Sequence, residues 1–427
     1  MISQTDILKK MKKPVGVLGY GVTGKAICEF LESQKVSTKI YAEDSNQFFL
    51  EDHSLREHDL FIISPGFPLD HIWIKKIKTA KVTFLGELDF ASLFWKGRLV
   101  AITGTNGKTT ITTFINHVLQ NSGYHSYAVG NIGTPFCKIL NRAGKDSSAY
   151  AICEVSSFQA EQLRQFFPDY VIWTNFTCDH LDRHKTIENY FSTKLKLLEK
   201  TQKKAFVGKD VADFIASIGR ILPEFCQIIN QLSHKVPIPL KSPFAYAPQE
   251  ENYRIAHRLL VELGIPEKTI KKTISQFKLP PHRLKKIMEW KGINFWNDSK
   301  STNWGATMGA LSRFSRPVHW IGGGSSKGEH PEKLLLGLEK KIKYAYLIGE
   351  VADSLLIACK TCKISAQKYL GLENAFKACM ENAVSGDNIL FSPGFASFDQ
   401  FKSYVHRGNY FEKLVLGLKK ENSEVNN

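Results

Sequence analysis

Residues 98–110 read RLVAITGTNGKTT. The first six are a mostly apolar run of strand length, and glycines follow at 104 and 107 ahead of Lys108, Thr109 and Thr110. A buried strand that turns through glycines into a G-K-[ST] helix start can wrap phosphates in backbone N–H groups. The usual spacing, G-x-x-x-x-G-K-[ST], needs a glycine at 102, where Ile102 stands. The strand before the loop and the helical pattern TTFINHVLQN after it, stopped by Gly123, still predict a parallel-sheet domain with a phosphate loop at a strand's carboxyl end. In that reading Lys108 reaches the β- and γ-phosphates, and the Thr109 hydroxyl ligates magnesium.

Similar alternation extends to both sides. Upstream, PVGVLGYG, STKIYAED and DLFIISPG read as strands, with KAICEFLESQ as a helix between the first two. Downstream, AYAICEVSS and PDYVIWTNFT read as buried strands, and ENYFSTKLKLLEKTQKK, NYRIAHRLLVELG and EKTIKKTISQF as helices. Residues 203–247 carry no clear pattern, and IPLKSPFAYAP within them reads as loop. Pro280-Pro281 blocks helix continuation and marks a hinge. A last series, GINFWNDS, PVHWIGGGSSKG, YAYLIGE and DNILFSPGFAS, reads as strands ending in glycine or polar loops, and the tail KKENSEVNN as frayed. Three α/β domains are expected, at 1–96, 97–280 and 281–427.

Composition sets limits. The chain has 427 residues, 43% hydrophobic and 23% charged, as for a globular protein. The start, MISQTDILKKMKK, is polar, and no run of about 18 apolar residues occurs. A cytoplasmic protein without a membrane span is expected. The net charge of +16 suits anionic ligands. Its lysines are dispersed and not interleaved with aromatics, which favours phosphorylated metabolites over nucleic acid. Of eight cysteines only Cys359 and Cys362 form a C-x-x-C; one pair cannot close a zinc site.

Other motifs are weaker singly. Gly19-x-Gly21-x-x-Gly24 lies between strand and helix, with Asp44 after the next strand. That is the dinucleotide fingerprint, and equally a tight helix–sheet contact or another nucleotide's site. Glu154, in CEVSSFQ, falls at a strand's carboxyl edge, where a magnesium ligand or an ordinary edge carboxylate would sit. Asp179, His180, Asp182, Arg183 and His184 crowd one loop, and Lys194 by itself reads as a surface lysine. WNDSKSTN, GGGSSKG and SPGFASFDQFKSYVHRG place polar and cationic residues, among them Lys300, Ser392, Asp399 and Arg407, at strand ends.

In order, GTNGKTT, EVSSFQ, DHLDRH, PHR, NDSKSTN and SPGFASFDQF are much more specific together. The chain resembles the Mur ligases over essentially its whole length. GNIG at 130–133, SSFQ and SPGFASFDQF are similar to the member that adds D-glutamate to UDP-MurNAc-L-alanine. The resemblance implies an N-terminal Rossmann-like UDP-binding domain, a central P-loop ATPase-type domain and a C-terminal Rossmann-like domain. It implies UDP-substrate contacts at Val22, Thr23, Asp44, Ser45, Gly66, Asn131, Gln159 and His180. ATP would be held by Gly104, Thr105, Asn106, Gly107, Lys108, Thr109, Thr110, Gln249, Asn252, Arg283 and Asp298. Thr109 and Glu154 would bind one magnesium, and His180 with a carbamylated Lys194 a second. Lys108, Glu154, His180 and Lys194 form the implied catalytic set. D-glutamate would meet Thr302, Lys327, Ser397 and Tyr404.

Two departures stand out. The family's H-N-x-x-N reads P-Q-E-E-N here, with Pro248 and Gln249 in place of His and Asn, and Tyr404 stands where Phe is familiar. The implied reaction is amide formation through an acyl phosphate, by a monomer whose domains close about a hinge near 280. Its rivals are another Mur- or folate-type amide ligase, an NAD-dependent dehydrogenase resting on the first glycine turn, and a phosphate-loop switch without ligation.

Overall fold

The computed structural model describes residues 2–43, 49–328 and 335–425. Three sheets follow one another along the chain. Strands β1 (Val15–Leu18), β2 (Thr38–Tyr41), β3 (Leu60–Ile63) and β4 (Thr83–Gly86) form a parallel sheet in the order β2-β1-β3-β4. Strands β5 (Arg98–Thr103), β6 (Ser126–Gly130), β7 (Tyr150–Glu154), β8 (Tyr170–Trp173), β9 (Lys204–Gly208) and β10 (Cys226–Ile229) form a second, in the order β10-β9-β8-β5-β7-β6. Strands β11 (Lys285–Trp290), β12 (Ile293–Asn297), β13 (Val318–Gly323), β14 (Ile342–Ile348), β15 (Ala366–Lys368) and β16 (Asn388–Gly394) form a third, in the order β11-β12-β16-β13-β14-β15. Only the β11–β12 pair is antiparallel among the registered pairs. The α/β fold with mostly parallel sheets expected from the sequence is therefore present.

Central strands are buried on both faces, so they read as continuous apolar runs rather than alternating ones. In β5, Val100, Ala101 and Ile102 are fully buried. Ile102 thus occupies a core position, which is why no glycine is needed there. The second sheet runs outward in both directions from β5, so the loop after β5 opens where the strand order reverses. Ligands of open α/β sheets bind in that crevice.

The chain divides into two compact units. The first holds residues 1–176, 188–237 and 252–277; the second holds 177–187, 238–251 and 278–427. Inside the first unit the N-terminal and central sheets are joined through buried carboxylates on the helix Glu87–Ser92. Glu87 accepts the backbone N–H of Cys137 at 2.7 Å. Asp89 accepts those of Arg164 and Gln165 at 2.7 and 3.0 Å. Burial pushes Glu87 up to about 7 and Asp89 up to about 6.

Some elements differ from the sequence reading. Residues 203–229 hold β9, the helix Lys209–Ser217 and β10. KKIMEW pairs with β12 through a turn in which Lys291 and Gly292 both have positive φ. The tail does not fray at 419: the backbone stays helical from Tyr404 to Val425. Gly417 is its last glycine and no proline follows, while Lys and Glu favour helix.

Candidate active site

The phosphate loop is built on two glycines in left-handed conformations, Gly104 (φ 142°) and Gly107 (φ 82°). A Cβ at Gly104 would run into Thr174 Oγ1, and one at Gly107 into the Asn252 side chain. Gly107 caps the 14-residue helix Lys108–Asn121 without any side-chain acceptor, which leaves the helix's first N–H groups to an anion. The loop is braced by residues that sequence reasoning passed over. Thr174 Oγ1 donates to Asn106 O at 2.6 Å, and Asn106 N donates to Asn175 Oδ1 at 2.9 Å. Lys108 Nζ lies back over the loop, donating to Gly104 O and Thr105 O at 2.8 Å each. Thr105 and Thr110 are buried, and Thr109 is half-buried.

Glu154 ends β7 beside β5, in register with Ile102, and is 2% exposed. Asn131 Nδ2 donates to its Oε1 at 2.8 Å. Its Oε2 is buried with no hydrogen-bond partner among the described residues. Such an orphaned acceptor is costly unless a ligand completes it. Asn131, assigned to the UDP substrate from sequence, therefore also orients Glu154. Lys194 is not a surface lysine: it is 1% exposed, and its Nζ donates to Gly104 O at 3.0 Å and Thr103 Oγ1 at 3.3 Å. Gln159 caps the helix Ser157–Gln162 in a reciprocal pair with Ser156.

At the first glycine turn, Gly21 caps the helix Val22–Ser33, again with no side-chain acceptor. Val22 is 69% exposed on its first turn, Thr23 is half-buried and Gly66 is exposed. A Cβ at Gly24 would strike Gly19 O, the close helix–strand approach expected of the motif. Ser64, which the sequence did not flag, points a buried hydroxyl, without a partner among the described residues, at this turn. Asp44 and Ser45 lie outside the described residues.

In the second unit, His180 has φ 55° and caps the short helix Leu181–His184. Buried Asp179 accepts from Lys327 Nζ at 3.0 Å, from Asn303 Nδ2 at 3.0 Å and from the His180 N–H at 2.9 Å. Lys327, assigned to D-glutamate from sequence, thus holds the 177–187 segment as well. Asp298 accepts from Leu284 N and Ser392 Oγ at 2.9 and 2.8 Å, and burial raises it to about 7. Arg283 and Thr302 are half-buried, and Ser397 is buried. Lys300 Nζ sits 4.0 Å from the Tyr404 ring centroid. Arg407, 1% exposed, donates to the carbonyls of Ser299, Phe395 and Ala396 and to Ser299 Oγ, at 3.0–3.2 Å. It ties NDSKST to SPGFAS. Gln249, in the second unit, and Asn252, in the first, are both buried and stand three residues apart in the sequence of the helix Gln249–Glu262.

Comparisons with known proteins agree with this layout. The Mur ligase middle domain family matches residues 102–236. A UDP-N-acetylmuramoylalanine--D-glutamate ligase of Protochlamydia amoebophila is 31% identical over 434 residues, covering 93% of this chain and 97% of that protein. One of Koribacter versatilis is 32% identical over 445 residues, covering 94% and 97%. Among solved structures, the MurF ligase of Thermotoga maritima in complex with ADP is similar with a TM-score of 0.58 at 16% identity, over 100% of this chain and 98% of that one.

Proposed function

The chain belongs to the Mur ligase family, whose members form amide bonds at the expense of ATP, and we propose that it joins D-glutamate to UDP-N-acetylmuramoyl-L-alanine in peptidoglycan precursor synthesis. The observation that carries the choice is the nearly full-length match to relatives of that one specificity.

A carboxylate oxygen is a poor leaving group, so the L-alanyl carboxylate must be activated. It attacks the γ-phosphorus of ATP, the bond to ADP breaks, and an acyl phosphate forms. Backbone N–H groups of Gly104–Thr110 and the Lys108 ammonium hold the phosphates while negative charge moves between oxygens. The D-glutamate amine then attacks the acyl carbon, loses a proton, and inorganic phosphate leaves. Water must be kept from the acyl phosphate.

Magnesium fits the residues present. Glu154 offers a buried oxygen without a partner. Among the described residues no group of three or more His, Cys, Asp or Glu could hold a metal alone, and magnesium commonly takes one or two carboxylates plus substrate phosphates. Thr109 and Glu154 would hold one ion, and His180 and Lys194 a second, with Lys194 carbamylated to give an anionic oxygen. When bound, the ions supply charge neutralisation at the transferring phosphoryl group.

The remaining roles follow the same reading. Val22, Thr23, Asp44, Ser45, Gly66, Asn131, Gln159 and His180 serve the UDP substrate. Gln249, Asn252, Arg283 and Asp298 serve ATP, the Gln249 amide replacing an Asn amide at the adenine end. Thr302, Lys327, Ser397 and Tyr404 serve D-glutamate. The enzyme works as a cytoplasmic monomer; among the described residues no helix is long and apolar enough to cross a membrane.

The test is an amino-acid panel. Purified protein with ATP, magnesium and UDP-MurNAc-L-alanine is expected to release phosphate at least about tenfold faster with D-glutamate than with L-glutamate, lysine or diaminopimelate. Release indifferent to the amino acid would contradict ligation, and preference for another amino acid would assign another member of the family.

A further inference from the structure

A cleft of about 240 Å³ opens in the second unit, and none of its lining residues is among those assigned above. It is lined by Tyr246, Trp296, Arg313, Phe314, Arg316 and Asn388, with Ser315 at its lip. Residues 315 and 316 lead into β13, and Asn388 opens β16. These residues place the cleft toward the amino ends of β13 and β16, with the Trp296 indole reaching it from β12 to Asn388, whereas Lys327 and Ser397 follow the carboxyl ends of β13 and β16.

Its chemistry is one-sided. The Arg313 guanidinium is half-buried between two rings, 4.6 Å from the Tyr246 centroid and 4.7 Å from that of Trp296. Stacking fixes the plane of the group but satisfies none of its five N–H donors. Among the described residues the Arg313 guanidinium has no hydrogen-bond or ion-pair partner. Burial lowers its pKa from the ordinary arginine value, so a bound negative charge would be favoured. Arg316 is exposed beside it, and Lys341 Nζ covers Phe314 O at 2.8 Å. Trp296 Nε1 donates to Asn388 Oδ1 at 3.0 Å, which turns the donor side of that amide outward. No lining residue is acidic.

We propose that this cleft is a binding site for a small oxyanion, phosphate or the phosphomonoester of a small metabolite, separate from the phosphate loop. Arg313 is its fixed planar donor, Arg316 the adaptable second cation, and the Asn388 amide a neutral donor. The aromatic pair holds the guanidinium plane in place before the ligand arrives, so little side-chain entropy is lost on binding.

The test uses the full chain labelled with 5-fluorotryptophan, with the Trp296 ¹⁹F resonance assigned by Trp296→Phe. Inorganic phosphate and glycerol phosphate are titrated separately at constant ionic strength. The expected result is a saturable shift of the Trp296 resonance, retained in Lys108→Ala and weakened at least about tenfold in Arg313→Gln. Arg316→Gln, on an exposed loop, should weaken it severalfold, and the other tryptophan resonances report whether each variant keeps its fold. Tighter binding of glycerol phosphate would identify a phosphomonoester; equal binding would identify phosphate itself. The proposal is overturned by no saturable shift, by an unchanged shift in both arginine variants, or by a shift with ADP but not phosphate, which would give the cleft to the nucleotide.

Discussion

At the residue scale, Glu154 separates stability from activity. Its Oε2 is buried and unpartnered, so Glu154→Gln removes a buried charge that the ligand-free protein does not need. The expected change in unfolding free energy is small or favourable, within about 1 kcal/mol. Phosphate release should nevertheless fall at least about 100-fold, since removal of a group that neutralises phosphoryl charge costs that much or more. Chemical denaturation and a phosphate assay on the same preparation check both halves. Lys194→Ala should likewise lose activity, with partial return when a short carboxylate is added. Unchanged activity would remove Lys194 from the metal site. Lys194 shows why the site was only partly legible. In sequence it is one lysine in a basic helix, and no local pattern says that it is buried; its helix carries it beneath the Gly104 carbonyl. Thr174 and Asn175, and the hydrogen bond by which Asn131 orients Glu154, were hidden for the same reason, since they are contacts between residues distant in sequence. The strand, glycine turn and helix start around Lys108 and Thr109 were legible because they are contiguous in sequence.

At the scale of elements, the phosphate loop depends on two positive-φ glycines. Gly107→Ala would place a non-glycine residue at φ 82° and push a methyl group into Asn252. ADP binding measured by calorimetry should weaken more than tenfold, about 1.4 kcal/mol. In the second unit, Arg407 holds two loops by their carbonyls, and Arg407→Lys cannot span them all. The expected loss is about 2–4 kcal/mol of stability, read in thermal unfolding, together with a raised KM for D-glutamate. The helix Glu87–Ser92 carries a pH dependence. Glu87 titrates near 7 in the folded chain against 4.5 ordinarily, and Asp89 near 6 against 3.8. Between those values the unfolded chain binds fewer protons, so stability falls as pH rises through the window and is fullest below it. The Glu87 contribution is at most about 3 kcal/mol, and Glu87→Gln should flatten the decline in thermal midpoint between pH 5 and 8. Most strands were legible because both faces are buried and their sequences are apolar throughout. The edge strand β11 was not, because half of KKIMEW faces solvent and only the Lys291-Gly292 turn gives it away.

At the scale of the whole molecule, the proposed reaction makes one demand of the chain: to hand a γ-phosphate to a carboxylate rather than to water. The family match and the fold fix the class of reaction. The destination of the phosphoryl group is the central claim, and an oxygen label follows it directly. UDP-MurNAc-L-alanine carrying ¹⁸O in its alanyl carboxylate is incubated with the enzyme, ATP, magnesium and D-glutamate, and the released phosphate is analysed by mass spectrometry. Passage through an acyl phosphate predicts that each phosphate carries one oxygen from the carboxylate. Phosphate that takes its fourth oxygen from solvent water instead would contradict the account.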